Sequence, residues 1–124
     1  MIGYSTLKSL LLTNVAEIRY VRRIPVPEKG TTRRMWCTNS VALLNSFNGK
    51  TILNYHVPKV LPKFNPNEHN IIITWDILMQ DFRCINMDSC DLLQSFPAND
   101  TFWKYFNENI FTMSTQQKIN FMQS

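Results

Sequence analysis

The stretch that most constrains the fold is residues 71–88, IIITWDILMQDFRCINMD, in which two β-rich runs are separated by only a few residues. β-Branched and aromatic residues on both sides of a short connection are typical of a β-hairpin. The continuous apolar run Ile71–Ile73 predicts that the first strand is buried on both faces. In the second strand, alternation puts Arg83, Ile85 and Met87 on one face and Phe82, Cys84 and Asn86 on the other.

Three further segments predict strands. The residues from Val15 to Val21 alternate imperfectly and are rich in β-formers, and the turn segment IPVPEKGTT follows them. The returning strand RRMWCT, at 33–38, places Met35 and Cys37 on one face and Arg34 and Trp36 on the other. DLLQSF, at 91–96, predicts the last strand. Together with the hairpin, these segments give about five short strands.

Helices and loops are predicted around these strands. Residues 4–12 predict a short helix capped by Ser5 or Thr6, and residues 39–49 predict a second helix. The second helix begins at an Asn39/Ser40 cap and ends at Asn48-Gly49. Three prolines at four-residue intervals exclude a helix or a central strand from residues 50–69, so we expect an extended loop there.

The C-terminal segment changes to helical periodicity. Asn99 or Asp100 caps a helix with apolar residues at helical spacing, and Ser114 caps a last short helix. We therefore predict a mainly β (α+β) fold, in which a small barrel of about five strands carries a short N-terminal helix, a proline-rich insert and C-terminal helices. The 124 residues support one domain, with a barrel core at about 15–96 and a helical appendage at about 99–122.

Positive charge is concentrated at the N-terminal end. Residues 1–34 hold seven basic and two acidic residues, a net charge of +5, whereas residues 35–124 hold six basic and seven acidic residues, a net charge of −1. A hairpin with this charge attracts polyanions or acidic protein surfaces. Alternatively, the charges only protect an exposed edge from pairing with other strands. The candidate residues of the hairpin are Arg19, Arg22, Arg23, Arg33 and Arg34, with Tyr20 and Trp36 among them.

No pattern typical of catalysis or metal binding stands out. The two histidines and three cysteines lack zinc-ligand spacing, and three glycines are too few for a glycine-rich phosphate loop. The carboxylate pairs Asp76/Asp81 and Asp88/Asp91 fall at turns, where Asp bonds nearby backbone N–H groups. We expect a non-catalytic protein without metal or cofactor. An odd cysteine count and the absence of a long apolar run favour the cytoplasm, away from any membrane.

The order of these motifs resembles the WYL-like family of tailed bacteriophages. The matching residues are RRMWCT at 33–38, Trp75-Asp76 and FRCINMDSC at 82–90, and the resemblance covers about residues 15–93. It implies an Sm-like (Src-homology-3 type) barrel, in a phage accessory protein that acts in the host cytoplasm. Relatives often carry a second basic residue where this chain has Asn86, which weakens an anion-binding role for that strand.

Two functions fit these features. The first is binding of nucleic acid, preferably single-stranded, by the arginines and by Trp36 and Phe82, since bases stack on aromatic rings while arginines follow the phosphates. The second is a protein-interaction module that binds or inhibits a host factor through the loop at 55–69 and the aromatic segment at 102–111. Trp103 is then the candidate hot spot, unless it packs against the barrel.

Overall fold

The computed structural model of the chain describes residues 1–22, 31–57 and 65–124. The strands are β1 (Asn14–Val21), β2 (Thr32–Thr38), β3 (Ile71–Asp76), β4 (Asp81–Asn86) and β5 (Asp91–Pro97). The helices are α1 (Tyr4–Leu11), α2 (Val41–Leu44), α3 (Phe47–Thr51), α4 (Asp100–Tyr105) and α5 (Thr115–Gln123), and α4 continues into a π-helical turn at Phe106–Ile110. The α+β class, the five strands and the terminal helices are confirmed.

The strands form one antiparallel sheet in the order β4-β3-β2-β1-β5. β1 pairs with β2 on one side and with β5 on the other, and β3 and β4 form the predicted hairpin. The junction between these two halves is short, because β2 and β3 pair only at Cys37↔Asp76 and Thr38↔Trp75. Beyond this junction the β3–β4 hairpin approaches the end of β1.

The sheet does not close into a barrel, since β4 and β5 remain its two edges. Side chains, and not a strand ladder, connect β4 to β1. Asn86 Nδ2 donates to the Val21 carbonyl at 2.9 Å, and the Val21 N–H donates to Ser89 Oγ at 3.3 Å. The expected barrel is therefore not confirmed: the sheet is open, with a gap between β4 and the end of β1.

Apolar side chains pack on both faces of the sheet. The first core lies between the sheet and α1, and it comprises Leu7, Leu11, Ala16, Ile18, Tyr20, Met35, Cys37, Ile72, Ile85, Met87 and Cys90. The second core lies on the opposite face, and it comprises Val15, Trp36, Leu43, Leu44, Leu53, Trp75, Ile77, Leu78, Phe102, Phe106 and Ile110. The alternation predicted for β2 is confirmed, since Met35 and Cys37 belong to the first core and Trp36 to the second.

Two helix predictions are wrong in detail. α1 begins after Gly3, so neither Ser5 nor Thr6 is its cap. Two short helices, α2 and α3, replace the single helix predicted over 39–49: Ser40 caps α2, and the Ser46 hydroxyl caps α3 by accepting from the Gly49 N–H at 3.0 Å. Gly49 lies inside α3, where a Cβ atom would be only 2.2 Å from the Leu43 carbonyl oxygen. A close approach of two backbones, and not a helix end, explains this glycine.

Two predicted loops fall partly outside the described residues. Most of the turn at 24–32 and residues 58–64 of the proline-rich insert are among those that the structure does not describe. After the insert, Pro66 begins a 3₁₀ turn, Pro66–His69, with Asn65 as its cap, so this end is not extended chain. The prediction that the run Ile71–Ile73 is buried on both faces is wrong: Ile72 lies in the first core, and Ile71 and Ile73 are only half-buried.

Candidate functional site

Strand alternation divides the predicted binding residues between the two faces of the sheet. The face of the sheet that carries the first core is called the inner face, and the face that carries the second core is called the outer face. Arg33 lies on the inner face with Tyr20, which is its cross-strand partner. Arg34 lies on the outer face with Trp36, opposite the exposed Arg19. Arg23 lies outside the described residues. The described arginines of the basic hairpin therefore do not form one continuous binding surface.

The other two predicted binding residues pack among aromatic rings. Phe82 stands edge-on to Trp75, with ring centroids 5.0 Å apart, and 6.0 Å from Tyr55. Trp103 is half-buried and lies 5.6 Å from Phe106, also edge-on. Both rings pack against the second core.

A pocket of about 430 Å³ lies in the gap between β4 and the end of the β1–β2 hairpin. We call it the arginine pocket, because Arg22 after β1, Arg33 on β2 and Arg83 on β4 all line it. Its lining is Tyr20, Arg22, Arg33, Ile71, Arg83, Cys84 and Asn86. The sequence placed Arg83 on the correct strand face but did not indicate that it would meet the hairpin arginines.

Arg33 and Arg83 differ in how far other side chains already engage them. It is half-buried, and it makes no hydrogen bond or salt bridge with another of the described residues. Arg83 is partly engaged, since its Nη1 lies 3.4 Å from Asp81 Oδ2 and its Nε lies 4.0 Å from Asp76 Oδ2. The pocket therefore combines Arg83, which has carboxylates close to its nitrogens, with Arg33, which acts on Asp76 only through its charge.

Asp76 is a fully buried carboxylate beside this pocket. Its Oδ1 accepts from the Leu78 N–H at 3.0 Å and the Met79 N–H at 3.1 Å, which fixes the turn between β3 and β4. Its Oδ2 makes no hydrogen bond to the described residues, and neither does Arg83 Nε. Burial raises the pKa of Asp76, and the hydrogen bond from Met79 and the charge of Arg83 oppose this rise. Asp76 thus has a structural role in the turn and an electrostatic one toward Arg83.

The cysteine thiols are poor nucleophiles at neutral pH. Burial raises the pKa of Cys90 to about 12, and burial also raises the pKa of Cys37. Cys84 is the exposed one and lines the arginine pocket, and desolvation raises its pKa as well. Thiolate, which is the reactive form of cysteine, is therefore scarce at all three positions.

Arg34 and Trp36 belong to a second arrangement, on the outer face of the sheet. Glu17 is only 2% exposed, and its Oε2 accepts from Arg34 Nη2 at 2.7 Å and from Arg34 Nε at 2.8 Å. Gln94 Nε2 donates to Glu17 Oε1 at 2.7 Å. Phe121 of α5 stacks on Trp36 with ring centroids 4.1 Å apart, and the Arg34 guanidinium lies 4.4 Å from the Phe121 ring centroid. Sequence reasoning missed Glu17 and Phe121, which occupy the contacts that a ligand of Arg34 and Trp36 would use.

The described residues contain no group of three or more His, Cys, Asp or Glu side chains that could hold a metal ion. No helix in the part of the chain that the structure describes is long and apolar enough to cross a membrane.

The fold and the site define an α+β protein with an open five-stranded antiparallel sheet and an arginine-lined pocket at its gap. Comparison of the chain with family models, with curated proteins and with solved structures gives no match.

Proposed function

We infer that this protein binds single-stranded nucleic acid without catalysis and holds the phosphate backbone in the arginine pocket. The observation that supports this function best is the convergence of Arg22, Arg33 and Arg83 from three separate segments on one concave pocket. Guanidinium groups match phosphate oxygens in charge and geometry, and they donate paired hydrogen bonds to them. Asn86 also lines the pocket, and its amide holds the pocket wall by donating to the Val21 carbonyl and accepting from the Asp88 N–H.

The pocket suits a single strand better than a duplex. Its volume of about 430 Å³ is small, and it lies in a gap between β-strands. We therefore expect it to hold one segment of nucleic-acid backbone. Phosphate contacts of this kind do not distinguish base sequence, so we expect binding that tolerates different sequences.

The salt dependence of affinity tests this function. For single strands the slope of log K against log salt is about −0.7 per phosphate contact, so three contacts give about −2 and a loss of about 20-fold between 50 and 200 mM salt. Removal of the Arg33 contact by Arg33→Gln should reduce the slope to about −1.4 and the loss to about 7-fold. The measurement is fluorescence anisotropy of a labelled single-stranded oligonucleotide, with unlabelled duplex as competitor.

Lys50→Gln is the control for this experiment, since Lys50 is exposed on α3 and does not line the pocket. It makes the same change in net charge and should leave the slope unchanged. Equal slopes for wild-type protein and Arg33→Gln would remove the arginine pocket as the phosphate site. No binding by the wild-type protein at 50 mM salt would remove the nucleic-acid function altogether.

The alternative function, a partner protein bound through the segment at 102–111, has less support. Phe102, Phe106 and Ile110 of this segment are buried in the second core, while Phe111 is exposed at 66%. Retained capture of one protein partner by Phe111→Ala would exclude this ring as the contact.

Residues 33–38, 75–76 and 82–90 resemble those of WYL-like phage proteins, and this resemblance supports a proposal about the type of fold and the family. We propose on that resemblance an Sm-like barrel in a phage accessory protein of the host cytoplasm. Cross-strand nuclear Overhauser contacts between β4 and β5 would support barrel closure, and their absence would favour the open sheet. Recovery of the protein in the membrane fraction of producing cells would contradict the cytoplasmic location.

A further inference from the structure

The Phe121 ring lies between an indole and a guanidinium. Its plane is tilted by only 9° from that of Trp36, and the Arg34 guanidinium carbon lies 4.4 Å from its centroid. Unpaired bases of single-stranded nucleic acid are held in the same way, stacked on aromatic rings and on arginine planes. Phe121 thus occupies a site whose shape and chemistry suit a base.

Arg34 is fixed independently of Phe121. Two of its nitrogens lie within 2.8 Å of Glu17 Oε2, and Glu17 is itself buried and bonded to Gln94. The guanidinium plane therefore remains in place when the ring above it leaves. A stacking site that is already ordered loses little conformational entropy when a ligand binds.

Trp36 has an unused hydrogen-bond donor. The residue is 4% exposed, and its Nε1 is buried without a hydrogen-bond partner among the described residues. Trp36 also lines a groove of about 540 Å³, whose other walls include the amide side chains of Asn109, Gln117 and Asn120.

The helix that carries Phe121 is weakly attached. α5 has nine residues and no buried side chain, and helices of this length are unstable alone in water. Phe121 stacks on Trp36, and Arg34 Nη1 donates an exposed hydrogen bond to Ser124 Oγ at 3.1 Å. Lys118 and Met122 of the same helix are also half-buried. Displacement of Phe121 should therefore release the end of α5 at modest free-energy cost.

A second groove leads from the arginine pocket toward α5. It has a volume of about 480 Å³, and Arg22 and Arg33 line both it and the arginine pocket. Its far wall is formed by Met122 and Gln123, which adjoin Phe121. The groove thus connects the arginine pocket with the end of α5, although Arg33 and Trp36 lie on opposite faces of the sheet.

We propose that Trp36 and Arg34 form a base-stacking site for single-stranded nucleic acid, which Phe121 occupies in the unliganded protein and vacates when the ligand binds. The choice of nucleic acid as the ligand rests on the proposed function. The stacking site itself is inferred from the position of Phe121 against Trp36 and Arg34 on the outer face. A binding-competent state that is only partly populated lowers the apparent affinity by its population. Loss of the competing ring should therefore strengthen binding.

The test compares Phe121→Ala with wild-type protein in the full chain, by anisotropy of a labelled oligothymidylate at 100 mM salt. We expect affinity at least about fivefold higher for the variant, because its stacking site is open before the ligand arrives. Ile119→Ala is the matched control, since Ile119 lies on the same helix and does not pack against either core. Its affinity should equal that of the wild-type protein.

Two further measurements separate this site from the arginine pocket. Hydrogen exchange of the α5 amides in wild-type protein should become faster when the oligonucleotide binds. Trp36→Leu, added to Phe121→Ala, should abolish the gain in affinity, and a circular-dichroism melt checks that both variants fold. Salt-dependent binding with no gain from Phe121→Ala and no change in α5 exchange would overturn the stacking site and leave the proposed function intact. No binding by either protein would overturn both.

Discussion

Replacement of Arg34 by methionine tests whether the ion pair on the outer face stabilises the fold. The substitution retains most of the apolar stem and leaves the Glu17 carboxylate buried without its cation. Loss of one partner of a buried pair costs about 3–5 kcal/mol. Here the loss should be smaller, because the Arg34 side chain is 30% exposed and Gln94 still donates to Glu17 at 2.7 Å.

We therefore expect a loss of about 2 kcal/mol from the unpaired carboxylate. Loss of the cation–π contact with Phe121, worth about 0.5–1 kcal/mol, raises the total to roughly 3 kcal/mol. In urea unfolding with a slope of about 2 kcal/mol per molar, the midpoint should fall by about 1.5 M.

Two variants make this experiment specific. Arg19 is exposed and is the cross-strand partner of Arg34, so Arg19→Met is the control. It should change the free energy of unfolding by less than about 0.5 kcal/mol. The double variant Glu17→Met with Arg34→Met should be more stable than Arg34→Met alone, because no charge is then left buried. A free energy of unfolding for Arg34→Met within about 0.5 kcal/mol of wild type would refute the argument that Glu17 depends on this pair.

Two other predictions concern stability. Burial raises the pKa of Asp76 above its ordinary 3.8, so its ionisation disfavours the folded state: the penalty is absent below that pH and grows as pH rises through the folded pKa. The free energy of unfolding of Asp76→Asn, relative to wild type, should therefore increase from pH 3.5 to pH 7, and a flat difference would contradict the raised pKa. Gly49→Ala should cost about 2 kcal/mol or more, because its Cβ would lie 2.2 Å from the Leu43 carbonyl oxygen. Gly3→Ala, with no atom within 4 Å of the added Cβ, should cost no more than about 1 kcal/mol, because Gly3 is only the N-cap of α1. Equal melting temperatures for both variants would exclude the close approach at Gly49.

Local sequence patterns predict most of the strands and helices correctly, but they do not predict the arrangement of the site. Alternation along β2 correctly separated Met35 from Trp36, because side chains on a strand point to opposite faces whatever the rest of the fold does. The division of the helix at 39–49 into two helices was not predicted. Ser46, a favoured helix N-cap residue, could have indicated that a second helix begins there.

The site depends on contacts between distant parts of the chain. Arg83 meets Arg22 and Arg33 where β4 approaches the end of β1, with Asn86 bonded to the Val21 carbonyl, and no local pattern predicts that approach. Trp36 was predicted as a ligand-binding ring, but Phe121 near the C-terminus already stacks on it. Both contacts arise from tertiary packing, which the periodicity of the sequence does not predict.

Cys84 gives the arginine pocket a built-in attachment point for a spectroscopic probe. It lines the pocket, whereas Cys37 and Cys90 are buried, so a thiol-reactive dye should modify the native chain at one place without any engineered residue. Its raised pKa means that labelling will be faster at mildly alkaline pH, where more thiolate is present. A dye at this position would report on occupancy of the pocket through its emission, and a ligand that protects the thiol from modification would give the same information without a dye.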